Sequence, residues 1–292
     1  MKLTTKFSII FILIFGAGLA GAGYICRYFL LENARAQVLQ EAHLMLESSL
    51  ATRKYTSKNI KPLIYALRPH DKVFHKETVP AFSATQHFNY LRQQFPDYSY
   101  KEPTLIPTNE LDAPADWERD IIQYFRDHPS ATEYYNERDA ATGRVLYLAK
   151  PVNVDMTCLD CHSTPEKAPA AMVKEYGKER GFGWEAGKVI GAFVVTVPMD
   201  VPIRRAHEAF QKMMIPLIVL AVAVLIAMNV AIRVLVIRPV THLAQAADEI
   251  SKGQVNAPDM DARGKDEVSM LAGAFNRMRR SLASAMKMLE QQ

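Results

Sequence analysis

Two runs of twenty uncharged residues, Phe7 to Cys26 and Met213 to Ile232, constrain this chain more than anything else in it. As helices, each is long enough to cross about 30 Å of hydrocarbon. The 292-residue chain is therefore expected to pass a membrane twice and to hold a large loop, Arg27 to Lys212, on one side. A cleaved signal peptide is the competing reading of the first run, because Lys2 and Lys6 precede apolar sequence rich in small residues. The run exceeds a usual signal-peptide core and leads straight into helix-forming sequence, which favours an uncleaved anchor. Cys26 follows Tyr24 and Ile25, poor neighbours for lipidation, and reads as a membrane-buried cysteine. Gly16-Ala17-Gly18-Leu19-Ala20-Gly21 fits G-x-G-x-x-G, but no strand precedes it. Inside a span, its small side chains suit close approach of another helix. Pro216 is expected in the first turn of the second span, where a missing N–H is tolerated.

Composition agrees with a folded domain plus membrane segments: 49% of residues are hydrophobic and 23% charged. The net charge of +4, without a basic stripe interleaved with aromatics, gives no nucleic-acid footprint.

Cys158-Leu159-Asp160-Cys161-His162 is a C-x-x-C-H run and uses two of the three cysteines. This spacing suits c-type haem attachment, with each thiol joined to one vinyl group and the histidine held beneath the iron. A zinc site would need a second cysteine pair, and the remaining Cys26 lies in an apolar run. A thioredoxin-like pair would want a helix start, whereas Ser163-Thr164-Pro165-Glu166-Lys167 reads as loop. A simple disulfide would leave His162 without a role. One covalently attached haem c is the reading that uses all three residues.

Flanking charge does not orient the spans. Lys2, Lys6, Arg233 and Arg238 lie at one pair of ends, and Arg27, Arg35, Arg204, Arg205 and Lys212 at the other. Covalent haem attachment takes place outside the bacterial cytoplasmic membrane, so the loop is expected in the periplasm with both termini cytoplasmic. The expected segments are a tail at 1–6, a span at 7–26, an external domain at 27–212, a span at 213–236 and a helical module at 237–290.

The external loop has the pattern of an α+β domain. Glu32 to Arg53 carries Val38, Leu39, Leu44, Leu46 and Leu50 among helix formers, and should break at Pro62 and at Arg68-Pro69-His70-Asp71. Further helices are expected at about Ala81 to Phe95, and from Asp112–Glu118 through Ile121, Ile122 and Phe125 to His128-Pro129. Thr132 to Glu137 and Arg144 to Val152 flank a turn-rich stretch and predict a hairpin, while Val189 to Val197 predicts a central strand. Helices first and an antiparallel sheet later give the α+β class, with the C-x-x-C-H run in a loop before the last strand.

The loop resembles the periplasmic haem-c sensor domains of PAS-like fold found in bacterial membrane receptors. Phe74 to Thr85, Tyr100 to Asn109, Asp116-Trp117-Glu118, Cys158 to Pro165, Tyr176, Val189 to Ala192 and Val197-Pro198-Met199 carry the resemblance. It implies a PAS-like fold, Cys158 and Cys161 as covalent haem attachments and His162 as an axial ligand. Some relatives place a cysteine just before a Lys-Pro pair on the N-terminal helix, and Ile60 stands there in Ile60-Lys61-Pro62. Ile60 cannot bind iron, which leaves water, an open position, or a substitute among His43, Met45, His70 and His75. His75 is the preferred distal candidate, because it lies in a family-like stretch.

After the second span, Arg238-Pro239 opens a helix with Val240, Leu243, Ala247 and Ile250 at heptad spacing. Gly253 and Pro258 interrupt it before Asp266-Glu267 opens another, with Val268, Leu271, Phe275, Met278 and Leu282 in its seam. Such short helices cannot bury their seams alone, but a parallel four-helix bundle in a homodimer can. Arg238-Pro239, Asp266-Glu267-Val268 and Leu271 to Met278 resemble a HAMP domain, which relays motion from a membrane helix. No kinase, cyclase or methyl-accepting region follows before Gln292, so a separate cytoplasmic output protein is expected. The combined expectation is a two-pass, non-enzymatic haem sensor of redox state or a diatomic gas. A membrane-anchored electron carrier is the alternative, and a haem enzyme a more distant one.

Overall fold

The computed structural model describes residues 3–68, 73–252 and 259–290. Lys2, Pro69, His70, Asp71, Gly253, Pro258 and Gln292 lie outside the described residues. The chain divides into two compact units, Tyr28–Ala209, and Met1–Arg27 with Phe210–Gln292.

The first of these is built on a four-stranded antiparallel sheet of order β1-β4-β3-β2, with β1 at Ser99–Lys101, β2 at Tyr134–Ala140, β3 at Gly143–Asn153 and β4 at Val189–Pro198. The predicted hairpin is β2 and β3, and the predicted central strand is β4. Both central strands are buried on two faces, so they read as near-continuous apolar runs whose alternate residues serve different cores. On one face, Leu146, Leu148, Val195 and Val197 meet Val38, Ala42 and Leu46 of α1 (Leu3–Tyr55) and Ala84 and Phe88 of α3 (Pro80–Arg92). On the other, Tyr147, Ala149, Ala192 and Val194 meet Ile121, Ile122 and Phe125 of α4 (Asp116–Asp127). Ala34 and Ala42 extend the buried stripe of α1, whereas Leu44, one of its predicted apolar positions, is 66% exposed. Leu44 stands two residues from both Ala42 and Leu46, about 200° round the helix from each, and so faces away from the sheet.

Pro62 does not break the first helix as expected. α1 passes into a π-helical turn at Thr56–Ile60, in which Lys61 N–H donates to Thr56 C=O, and then into α2 at Lys61–Leu67. The wide turn moves the preceding carbonyls out of the way of the pyrrolidine ring and uses the missing N–H at the start of α2. The helix ends instead at Leu67. β1 is also absent from the sequence expectation. Its three residues have no alternating signal of their own and are held by pairing with Val194, Val195 and Thr196 of β4.

In the second unit, Ser8 Oγ donates to Asn229 Oδ1 at 2.5 Å, and Cys26 Sγ lies 3.9 Å from Met213 Sδ. These two contacts fix the start of α1 antiparallel to α7 (Asp200–Ile232). Thr4–Leu67 and Asp200–Ser251 are each long and apolar enough to cross a membrane, and Leu13, Ile14, Val219 and Ile226 stand outward along them. Pro216 is not in a first turn: α7 begins at Asp200, so the proline lies in the helix interior. A Cβ added at Gly16, Gly18 or Gly21 would meet nothing within 4 Å beyond the neighbouring backbone of its own helix.

A second π-helical turn, Arg233–Ile237, joins α7 to α8 (Arg238–Ser251), again directly before a basic residue and a proline. α9 (Glu267–Glu290) begins where Asp266 Oδ1 accepts from Ser269 N–H at 2.7 Å. Leu243, Ile250, Ala272 and Asn276 are buried between and beside these helices. Asn276 holds the Met260 backbone through Oδ1 at 3.0 Å and Nδ2 at 2.8 Å. The seam residues Leu271, Met278 and Leu282 remain exposed in the single chain.

Gly143 closes the hairpin with φ +115°, and a Cβ there would lie 2.1 Å from Asp200 Oδ2. Gly143→Ala is expected to cost about 1–3 kcal/mol of stability, read from urea unfolding of the detergent-purified chain.

Candidate functional site

The C-x-x-C-H residues occupy one turn of helix, α5 at Leu159–His162, with Cys158 immediately before it. Asp155 starts the turn. Its Oδ1 accepts from Thr157 N–H at 2.8 Å, Thr157 Oγ1 at 2.6 Å and Cys158 N–H at 3.1 Å. His162 N–H then donates to Cys158 C=O at 3.0 Å, completing the turn. Positions i, i+3 and i+4 share one helix face, so both thiols and the imidazole are brought together. Both cysteines are unpaired and half-buried. Burial pushes both thiols up; Asp155 also acts on Cys158, while Arg53 opposes the shift at Cys158 and Lys61 at Cys161. The Thr157 hydroxyl, with Cys158, holds the Asp155 carboxyl below its ordinary range.

His162 is fixed from the segment that precedes β4. Its Nδ1 lies 2.7 Å from Gly181 C=O, and a carbonyl only accepts, so the ring proton is on Nδ1. Nε2 has no hydrogen-bond partner among the described residues. The Trp184 indole stacks on the imidazole with ring centroids 3.8 Å apart and planes 12° from parallel. Trp184 N–H donates to His162 C=O at 3.1 Å and Gly183 N–H to Ser163 C=O at 2.9 Å, which ties the two segments together. Burial lowers the His162 pKa, against the opposing pull of the Gly181 hydrogen bond, so the ring is held neutral. Ser163 Oγ is buried beside it with no partner. A neutral imidazole with an unengaged Nε2, two free thiols on the same helix face and an orphaned hydroxyl form a donor set that fits a covalently attached haem.

Arg53, near the end of α1, and Lys61, at the start of α2, are near enough to act on Cys158 and Cys161 respectively. Arg53 pairs with the buried Glu102, lies over the Phe193 ring at 4.9 Å, and shares Glu102 with the Tyr100 hydroxyl, 2.7 Å from Oε1. Burial, with Glu102 beside it, holds the Tyr100 phenol far above its ordinary range. Lys101 bonds the buried Glu118 at 2.7 Å. Ile60, the residue at the distal position in the resemblance, lies in the π-helical turn. His43 is engaged at both nitrogens, with Leu39 C=O at 2.9 Å and Glu133 at 3.0 Å, and Met45 packs into the core under the sheet. His75 precedes a short 3-10 turn, Lys76–Thr78, and its carbonyl accepts from Thr78. The neighbouring Phe74 packs edge-on against Tyr176 of α6 (Ala170–Tyr176), at 5.8 Å between centroids, which brings the His75 segment against the helix that follows the motif.

Sequence reasoning missed Trp184, Gly181 and Thr108. The available signal was one of only two tryptophans set among glycines just downstream of the motif. Trp184 also lines a cleft of about 690 Å³ with Leu105, Phe125, Arg126, Lys188 and Ile190, which the motif residues do not line.

Asp112 sits in the same charged neighbourhood. Burial raises its pKa from 3.8 to about 6, reinforced by Glu102 and Glu118 and opposed by Lys101. The folded chain therefore binds more protons here than the unfolded chain between about pH 4 and pH 6, and the group's contribution to stability falls as pH rises through that window. Asp112→Asn is expected to unfold at higher urea than the parent at pH 7, with the difference closing by about pH 4.

Residues 31–198 match the Tll0287-like family (Tll0287), and residues 232–284 match the HAMP domain. No curated protein matches the chain. Among solved structures, the crystal structure of the cyanobacterial heme-protein Tll0287 aligns over 55% of this chain and 94% of its own, at 15% identity and a TM-score of 0.43. The family match spans more than half of the sequence, and the chain belongs to the Tll0287-like family, with a HAMP domain following the family segment.

Proposed function

We propose that this chain is a membrane-bound haem-c sensor that passes a redox or diatomic-gas signal through its HAMP domain to a separate cytoplasmic protein. The observation that carries the reading is the single helical turn bearing Cys158, Cys161 and His162, with Nε2 of His162 unengaged. Cys158 and Cys161 hold the haem as thioethers, and His162 is the proximal ligand. His75 is the distal candidate, since the adjacent Phe74 lies against Tyr176 of the helix that follows the motif. The haem supplies an iron whose oxidation state or sixth ligand can change.

The chain's own residues carry the consequence onward. His162 is tied to the Gly181–Trp184 segment, which leads into β4, and only Met199 separates β4 from α7. Met199 is fully buried and its N–H donates to Arg144 C=O at 2.9 Å, so a displacement of β4 is delivered to α7 and not absorbed in a loop. A differential interaction of about 1–3 kcal/mol between two arrangements is sufficient to bias a relay of this kind.

The proposed organisation is a short cytoplasmic tail at 1–6, a span at 7–26, a periplasmic domain at 27–212, a span at 213–236 and HAMP at 237–290, in the bacterial cytoplasmic membrane. The exposed seam of Leu271, Met278 and Leu282 supports a homodimer through a parallel four-helix bundle.

Covalent haem staining of the denatured chain tests the attachment. The double variant Cys158→Ala, Cys161→Ala should lose the stain, and full retention would sink the assignment. On the parent, the same pigment's optical spectrum should shift with nitric oxide or carbon monoxide if a gas is sensed. A spectrum indifferent to both gases but reversible with reductant would assign redox sensing or electron carriage. Single cysteines placed at 271, 278 and 282 should cross-link symmetrically between two copies in membranes, and an exclusively monomeric product would overturn the bundle.

A further inference from the structure

His162 is held by more than the hydrogen bond to Gly181. Gly181 has φ +80°, and a Cβ at this position would lie 2.0 Å from Thr108 Oγ1, so the backbone that offers the carbonyl is wedged against Thr108. Thr108 Oγ1 is itself 3.5 Å from His162 Nδ1, on the same side of the ring as the carbonyl. Trp184 covers one imidazole face, 3.8 Å between centroids, and its own backbone is bonded to that of His162. Rotation of the ring about its bond to the chain would break the Nδ1 hydrogen bond and drive the ring edge into the indole. The ring therefore has one permitted orientation, with Nε2 directed away from Gly181.

We propose that Thr108 and Trp184 are positioning residues for His162, fixing the imidazole plane and its bond to the Gly181 carbonyl and so setting the reduction potential of the iron bound at Nε2. The proposal rests on the haem reading above. A hydrogen bond accepted from Nδ1–H makes the imidazole a stronger electron donor, which favours the oxidised metal. Losing the Thr108 hydroxyl beside Nδ1, or the indole against the ring, weakens that bond and shifts the equilibrium toward the reduced form. Neither residue touches the iron, and neither is needed for thioether formation at Cys158 and Cys161.

The test is potentiometric titration of the full chain in detergent, with covalent haem staining as a separate readout. Thr108→Val removes the hydroxyl at nearly constant volume, and Trp184→Leu removes the flat stacking face while keeping the site apolar. Each should retain the stain and shift the reduced-to-oxidised ratio at fixed poise by about tenfold toward reduction, equivalent to 59 mV for one electron. The conservative variants Thr108→Ser and Trp184→Phe should stay close to the parent, because the hydroxyl or the stacked ring is kept. Stained Thr108→Val and Trp184→Leu proteins with the parent potential would overturn the clamp while leaving the haem reading intact. Loss of stain in the parent chain would instead overturn the haem reading. If Trp184→Leu does not accumulate with haem, Thr108→Val decides between a shifted and an unchanged potential.

Discussion

Val38, Ala42 and Leu46 recur every four residues along α1 and seat the helix on Leu146, Leu148, Val195 and Val197 of the sheet, and Ala34 continues the buried stripe one turn earlier. The same helix, followed backward, is the first membrane-length segment, and followed forward reaches Arg53 beside Cys158. Within the Tyr28–Ala209 unit, the helix thus serves both as a core element and, at Arg53, as a wall of the candidate site. Any displacement of the sheet relative to α1 must slide small side chains across close-packed strands, and close-packed interfaces move between discrete arrangements more readily than they deform.

The buried charges are paired between elements on both sides of the sheet. Glu102 and Glu118 would each be costly beneath the sheet if unpaired, and each has a cation from a different element, Arg53 on α1 and Lys101 on β1. Glu102 also takes the Tyr100 hydroxyl. Pairing of this kind contributes little net stability compared with an apolar core, but it specifies which helix register is allowed, because a slip along α1 would strand the carboxylate. Register matters here, since Lys61, further along the same run of helix, acts on Cys161.

Much of this was legible in the sequence. The C-x-x-C-H run, the two apolar segments, the hairpin, the central strand and the HAMP-like heptads all carry local signals that survive without knowledge of the tertiary contacts. The elements that were not legible draw their stability from elsewhere in the fold. β1 exists through its pairing with β4, and Ala42 looks unremarkable until a sheet approaches it. Trp184 and Thr108 lie respectively twenty-two residues after and fifty-four before His162, so no local pattern connects them to it. Pro62 misled for a different reason. The rule that proline ends a helix assumes the preceding turn stays α-helical, and here the turn widens.

The two widened turns, Thr56–Ile60 before Lys61-Pro62 and Arg233–Ile237 before Arg238-Pro239, have a shared geometric effect. Each inserts extra residues into a rod without bending the count of turns to match, so the angular phase of side chains is reset at that point. An α-helix advances about 100° per residue, and a shift of one position sends a side chain to another face. The face that α7 turns to its surroundings therefore does not foretell the face that α8 turns to α9. Membrane helix and relay helix are free to satisfy different neighbours, and the proline after each widened turn makes that independence a permanent property of the covalent chain.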